Sequence, residues 1–436
     1  MQTNILPALR DTADGRDADR ILRSCVHCGF CTATCPTYQL LGDELDGPRG
    51  RIYQIKNLLE GEAPTRQVQT HLDRCLTCLN CETTCPSGVE YHKLLDIGRR
   101  QLEDRVRRPL GERVVRWSLR QILPYPRRFR PLLRLGQAMR PLVPASLRAK
   151  LPPAPSNRKA SRAAPVRSPT GRHQRRVILL ENCVEPALTP GVIGATVRIL
   201  DALGIEAVQP AGGGCCGAVS QHLAAAEQAK GFIRRNIDAW WPLIEPADGS
   251  ATAEAILITA SGCGAMVKDY GHLLRHDPTY AERAARVSAL AQDLSELLGA
   301  EDLARLPSPI DQGVPRRIAF HPPCTLQHAQ GLMGRVEALL QATGFELLPV
   351  RDSHSCCGSA GTYSILQSEL AGRLRENKLD ALQQGRPALI ATANVGCQTH
   401  LQAAASVPVM HWIELFDPGN ASGTDVSPHR VLNQVR

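Results

Sequence analysis

Aromatic residues are scarce in this 436-residue chain, at 4%. So few leave no basis for a stacking platform that would hold single-stranded nucleic acid, and no nucleic-acid partner is expected. Long apolar runs are also missing. The longest stretch without Asp, Glu, Lys or Arg, Pro387 to Ile413, contains Asn394, Gln398, His400, Gln402, Pro408 and His411, too polar to span a bilayer. Met1 to Arg23 carry Asp11, Asp14, Asp17 and Asp19 and no apolar stretch, so a secretory leader is not expected and a cytoplasmic location is. No Gly-x-Gly-x-x-Gly follows a strand pattern, and Gly212-Gly213-Gly214 is not followed by Gly-Lys-Ser or Gly-Lys-Thr, which leaves the chain without a nucleotide or flavin fingerprint. With 43% apolar and 21% charged residues it is neither collagenous nor disordered, and its length buries a core without help from disulfides.

What the chain has in excess is cysteine, 16 residues, which in a reducing compartment serve as metal ligands or redox thiols rather than as disulfides. Eight of them form a repeat. Cys25-x-x-Cys28-x-x-Cys31-x-x-x-Cys35-Pro36 recurs as Cys75-x-x-Cys78-x-x-Cys81-x-x-x-Cys85-Pro86. Three thiolates at this spacing wrap three corners of an iron-sulfur cube, and the fourth, turned away at the proline, reaches the other cube. The expected ligand sets are Cys25, Cys28, Cys31 and Cys85 for one [4Fe-4S] cluster, and Cys35, Cys75, Cys78 and Cys81 for the other. A pair of zinc knuckles would need two cysteines per block, not three evenly spaced ones and a Cys-Pro. Between the blocks, Gly47-Pro48-Arg49-Gly50-Arg51 reads as the turn into a helix over Ile52 to Leu59. Arg49 and Arg51 are expected at its solvated start, with electrostatic tuning of a cluster as the alternative.

A second repeat follows. Cys183, Cys215-Cys216-Gly217 and Cys263 are matched by Cys324, Cys356-Cys357-Gly358 and Cys397, with 31 residues between the first cysteine and the Cys-Cys-Gly in both units. The last spacing drifts, 46 residues against 39, as an insertion around Pro246 to Ala253 would produce. Apolar runs at Arg176 to Leu180, Ala255 to Thr259, Arg317 to Phe320 and Ala388 to Thr392 predict buried parallel strands. Helical patterns lie between them at Val192 to Leu203, Leu223 to Ile237, Val336 to Thr343 and Leu366 to Leu382, so each unit is an α/β layer with its cysteines at one rim. At least one quartet is expected to bind a metal or a further cluster. His321, His328, His354, His400 and Asp269 are candidates for supporting groups around it, an ordinary polar role being the default for each. Asn420-Ala421-Ser422 matches a glycosylation acceptor that a cytosolic chain would not use.

Charge is concentrated. Residues 101–176 hold twenty Lys and Arg against Glu103, Asp104 and Glu112, within a chain whose net charge is +9. This proline-rich segment reads as a basic linker, with short amphipathic helices in its first half and disorder from Pro152 to Arg176. A solvated linker is the default reading, and an anionic membrane surface or an acidic partner are the alternatives. The expected organisation is α+β and multidomain: a two-cluster α-helical ferredoxin-like domain (1–104), the linker (105–175), two Cys-Cys-Gly units (176–306 and 307–416) and a flexible tail (417–436).

Four stretches closely resemble the glycolate oxidase iron-sulfur subunit family: Cys25 to Tyr38, Gly42 to Arg51, Ala260-Ser261-Gly262-Cys263-Gly264-Ala265, and Cys356 to Tyr363. The resemblance implies a component of a glycolate dehydrogenase in which flavoprotein subunits oxidise glycolate to glyoxylate. This subunit, without flavin and inactive alone, would pass electrons to an acceptor such as membrane quinone, placing it at the inner face of the membrane. The equivalent subunits of lactate and anaerobic glycerol-3-phosphate dehydrogenases share the layout. So do the Cys-Cys-Gly subunits of heterodisulfide reductase, which suggests thiol-disulfide reduction as a second reading. In that last group a further cysteine follows the final one by three residues. Met266 and His400 stand there in this chain, which argues against the same cluster type.

Overall fold

The computed structural model describes residues 1–140, 173, 175–249 and 251–418. The disordered stretch expected over Pro152 to Arg176 and the acceptor triplet at Asn420 lie wholly or mostly outside these residues.

The N-terminal part is helical. Helices Ala13–Ser24, Pro48–Leu59, Arg66–Asp73 and Tyr91–Arg105 pack Ile21, Leu22, Ile52, Ile55, Leu59, Leu72, Leu94 and Leu95 into one core. Thr12 and Thr65 cap two of these helices by accepting a backbone N–H three residues on, which satisfies donors the helix itself cannot. Pro48 sits in the first turn of its helix, where it has no hydrogen bond to lose.

The rest is built on two parallel four-stranded sheets. The first runs β2-β1-β3-β4 with β1 Arg175–Leu179, β2 Ile205–Val208, β3 Ala255–Ile258 and β4 Ala291–Asp293. The second repeats the order as β6-β5-β7-β8, with β5 Arg317–His321, β6 Glu346–Leu347, β7 Ile390–Thr392 and β8 Val409–His411. Strand residues alternate between faces. Val177, Leu179 and Leu257 of the first sheet share one core with Ile318, Phe320 and Ala391 of the second, while Ile178, Ile256 and Ile258 face a separate core under the helix Ala226–Ile244. The two units are thus joined back to back through apolar surface, and the mixed helical and α/β class is as expected.

The basic segment is not a bare connector. Residues Leu110–Ile122 and Pro126–Ala138 are helices, and Arg108 folds back on Asp73, Glu103 and Glu112 while Arg116 faces Asp73. Carboxylates from the first domain neutralise these two buried arginines, and this fixes the start of the segment on the body.

Candidate metal centres

The two N-terminal cysteine loops are built alike. His27 and Gly29 in the first, and Thr77 and Leu79 in the second, all have positive φ, so each loop curls around its thiols. A one-turn helix follows each loop, Phe30–Ala33 and Asn80–Thr83, and the repeats meet at Thr34 Oγ1 and Thr84 Oγ1, 3.1 Å apart.

Within this frame Cys31 has Cys25, Cys28 and Cys85 around it. Cys81 has Cys35, Cys75 and Cys78. Burial pushes the Cys31 thiol up to about 11, with Cys25 and Cys85 adding to the effect. It also raises Cys78 and Cys81 well above the ordinary thiol value, so a positive ion is what would turn these thiols into ligands. The first group opens to the surface at Cys28, between exposed Val26 and Phe30, whereas Cys78 and Cys81 are buried. Three further cysteines around Cys31 and three around Cys81 make two donor sets suited to iron-sulfur clusters.

Arg51 is not at a solvated helix start. Its side chain is 1% exposed, 3.4 Å from the Asp46 carboxylate, and it donates to His71 O and to Thr37 Oγ1. Thr37 Oγ1 in turn lies 3.3 Å from Cys35 Sγ. Burial works against the charge, but Cys75, Tyr91, Cys35 and Asp46 hold Arg51 above its ordinary value, a fixed cation beneath the second group. Arg49 stays at the surface, paired with Glu44. Tyr91, whose hydroxyl donates to Cys75 Sγ at 3.6 Å, was not foreseen, because nothing in a lone buried tyrosine at a helix start marks a thiol neighbour.

Both later quartets are assembled. Cys183 neighbours Cys215, Cys215 neighbours Cys216, and Cys216 neighbours Cys263, all as free thiols. In the second unit the order is Cys324 to Cys356 at 3.8 Å, Cys356 to Cys357, and Cys357 to Cys397. In both units the glycine of the triplet has positive φ and its N–H donates 3.4 Å back to the first cysteine of the pair. The surroundings differ. Phe232 and Tyr125, the latter from the basic segment, pack on Cys183 and Cys215. The second quartet instead sits against the N-terminal domain, where Cys356, Cys324, Tyr363 and Leu370 pack with Leu76 and Cys78.

Of the five supporting candidates only His321 lies at the thiols, beside Cys357 and Cys397. His328 bridges Thr83 Oγ1 and His354 O, and that same carbonyl accepts from Asn80, so this corner fastens the second unit to the cluster domain. His400 faces Ala371 O, and Asp269 is half-buried near His92 and Asp96, with desolvation raising it to about 6. Lys378, a buried cation on the carbonyls of Asp352 and Ser353 and close to Cys356 and Cys357, went unmarked because a lysine in an amphipathic helix reads as solvent-facing.

Comparison with known proteins agrees with this picture. Residues 21–89 match the 4Fe-4S dicluster domain, and residues 177–268 and 318–402 each match the cysteine-rich domain. The chain is 55% identical to the glycolate oxidase iron-sulfur subunit of Escherichia coli (strain K12), over 96% of this chain and 98% of that one. It is 30% identical to the probable glycolate oxidase iron-sulfur subunit of Bacillus subtilis (strain 168), over 86% and 87%. Lactate utilization protein A of Geobacillus thermodenitrificans (strain NG80-2) is 26% identical over 56% of this chain and all of that protein. Among the described residues no helix is long and apolar enough to cross a membrane. An iron-sulfur protein by its domains and an oxidoreductase subunit by its relatives, the chain belongs to the glycolate oxidase iron-sulfur subunit family.

Proposed function

We propose that this chain is the electron-transfer subunit of a flavin-dependent glycolate dehydrogenase, taking electrons from flavoprotein subunits and delivering them to a quinone. Its N-terminal clusters are assigned to Cys25, Cys28, Cys31 and Cys85, and to Cys35, Cys75, Cys78 and Cys81. When bound, such clusters take up and release single electrons with little change of geometry. The observation that carries the reading is the gradient of burial. Cys28 is exposed between Val26 and Phe30, Cys78 is buried, and Cys78 packs against the second Cys-Cys-Gly quartet. Val26 and Phe30 offer a small apolar surface on which a partner can dock close to the first group, a geometry that shortens the distance electrons must cross. Arg51, Thr37 and Tyr91 act on the second group. A buried cation and hydrogen bonds toward sulfur favour the more negatively charged, reduced state.

The chain's own residues supply no hydride acceptor, so the glycolate oxidation step belongs to the partner. Purified alone, the chain is expected to leave glycolate unoxidised, and addition of flavoprotein subunits to restore glycolate-driven dye reduction. Turnover of glycolate by the flavin-free chain would defeat the proposal. Turnover of a disulfide with reduced viologen as donor would favour thiol-disulfide reduction instead.

A further inference from the structure

The second Cys-Cys-Gly unit contains a group that the first lacks. His321 ends β5 and is 0% exposed, and neither of its ring nitrogens has a hydrogen-bond partner. A buried imidazole left wholly unpaired is unfavourable, and buried polar side chains nearly always find a partner. Its ring nitrogen and the sulfurs of Cys357 and Cys397 all lie within 4.8 Å of one another. The residue standing in the same place before the first unit's leading cysteine is Leu180, which offers no ligand atom.

Compactness tells the kind of occupant. Sulfurs bound to the corners of a cube are spread around its outside, whereas ligands of one tetrahedral ion at Zn–S ≈ 2.3 Å stand only about 3.8 Å apart. Among the described residues, no three thiols of the N-terminal groups or of the first unit form so tight a set. We propose that His321, Cys357 and Cys397 hold a single divalent ion of the zinc class, with Cys356, the chain neighbour of Cys357, in reach of the fourth position. Charge balance supports this. Two thiolates and a neutral imidazole cancel a divalent ion, and a third thiolate is offset by the buried Lys378 ammonium. Each coordinating thiol gives its proton to solvent as the ion binds, so no oxidant or reductant is involved. The two units of the duplication would then differ in kind, the second holding a redox-inert ion that fixes the surface on which Cys78 rests.

The test uses the full-length chain, purified anaerobically, supplied with zinc chloride and passed through gel filtration. About one equivalent of zinc should be retained, and X-ray absorption at the zinc edge should show nitrogen together with sulfur in the first sphere. His321→Ala and Cys397→Ser should each lose that equivalent while iron and acid-labile sulfide stay unchanged. An all-sulfur sphere in the unmutated chain overturns the proposal whatever the variants do. So does a chain that retains no zinc, undiminished zinc in His321→Ala, or a loss of iron and sulfide in Cys397→Ser.

Discussion

The two Cys-Cys-Gly units share strand order, triplet geometry and the direction of every sheet pairing, yet their thiols meet different neighbours. The first quartet is covered by Tyr125 and Phe232, each with an arginine over its ring, Arg128 at 4.4 Å and Arg235 at 4.9 Å. The second is covered by the cluster domain itself. A duplicated fold therefore keeps its backbone solution while the chemistry of each copy is decided by what packs on its rim.

The largest expected difference comes from the triplet glycines. A Cβ at Gly358 would stand 2.6 Å from Ala371 O and 2.9 Å from Leu374 Cβ, at φ +88°, whereas at Gly217 its nearest contact is Ala229 O at 3.2 Å. Adding strain at positive φ to overpacking, Gly358→Ala should cost about 3 kcal/mol and Gly217→Ala about half as much, as measured by denaturant unfolding. Equal costs would mean that the helix Ser368–Gln383 is free to retreat.

Next comes a pH contrast at equivalent positions. Asp293 ends β4 and His411 ends β8, and each caps the following turn in a box closed by a glutamate three residues on. Burial raises Asp293 from 3.8 to about 6, so the stability associated with its protonated form is present below pH 4 and lost as pH rises through about 6. Burial lowers His411 from 6.5 to about 4, so its contribution is present above pH 6.5 and lost as pH falls through about 4. Asp293→Asn should flatten the neutral-side loss and His411→Asn the acid-side loss, each by about 2 kcal/mol in melts across pH 4 to 8. Both substitutions acting on the same limb would contradict the assignment.

Tyr125→Ala should cost about 1 kcal/mol and speed alkylation of Cys183 and Cys215 several-fold, with the rate at Cys356 unchanged, as mass spectrometry would follow. The smallest effect concerns the first strand residues. Arg175 pairs with Glu254 and Arg317 with Glu346, all four more than a third exposed, so either Arg→Ala change should alter stability by less than about 1 kcal/mol.

Legibility in the sequence followed the same division between backbone and surroundings. Runs such as Val177 to Leu180 and Ala255 to Ile258 announce strands because parallel strands are buried on both faces. The short edge strands Glu346–Leu347 and Val409–His411 carry too few residues to show a period. Cysteine spacing was readable because the chemistry demands it locally. Arg51 was misplaced, since its burial depends on Asp46, Thr37 and His71 arriving from three other segments. Tyr125 as a cover and His321 as the one of the five candidates that lies at the thiols are likewise products of packing between segments far apart in the chain.

The seal over Cys78 also carries a timing. Its covering residues, Cys356, Tyr363, Leu370 and Leu374, are translated long after the Cys75 to Cys85 loop has left the ribosome, and Asn80 and Thr83 lock on to His354 and His328 only then. Domains fold in the order they are made. During synthesis the Cys75 to Cys85 loop therefore stands open before its cover exists, and the burial of Cys78 is completed only when the second unit arrives.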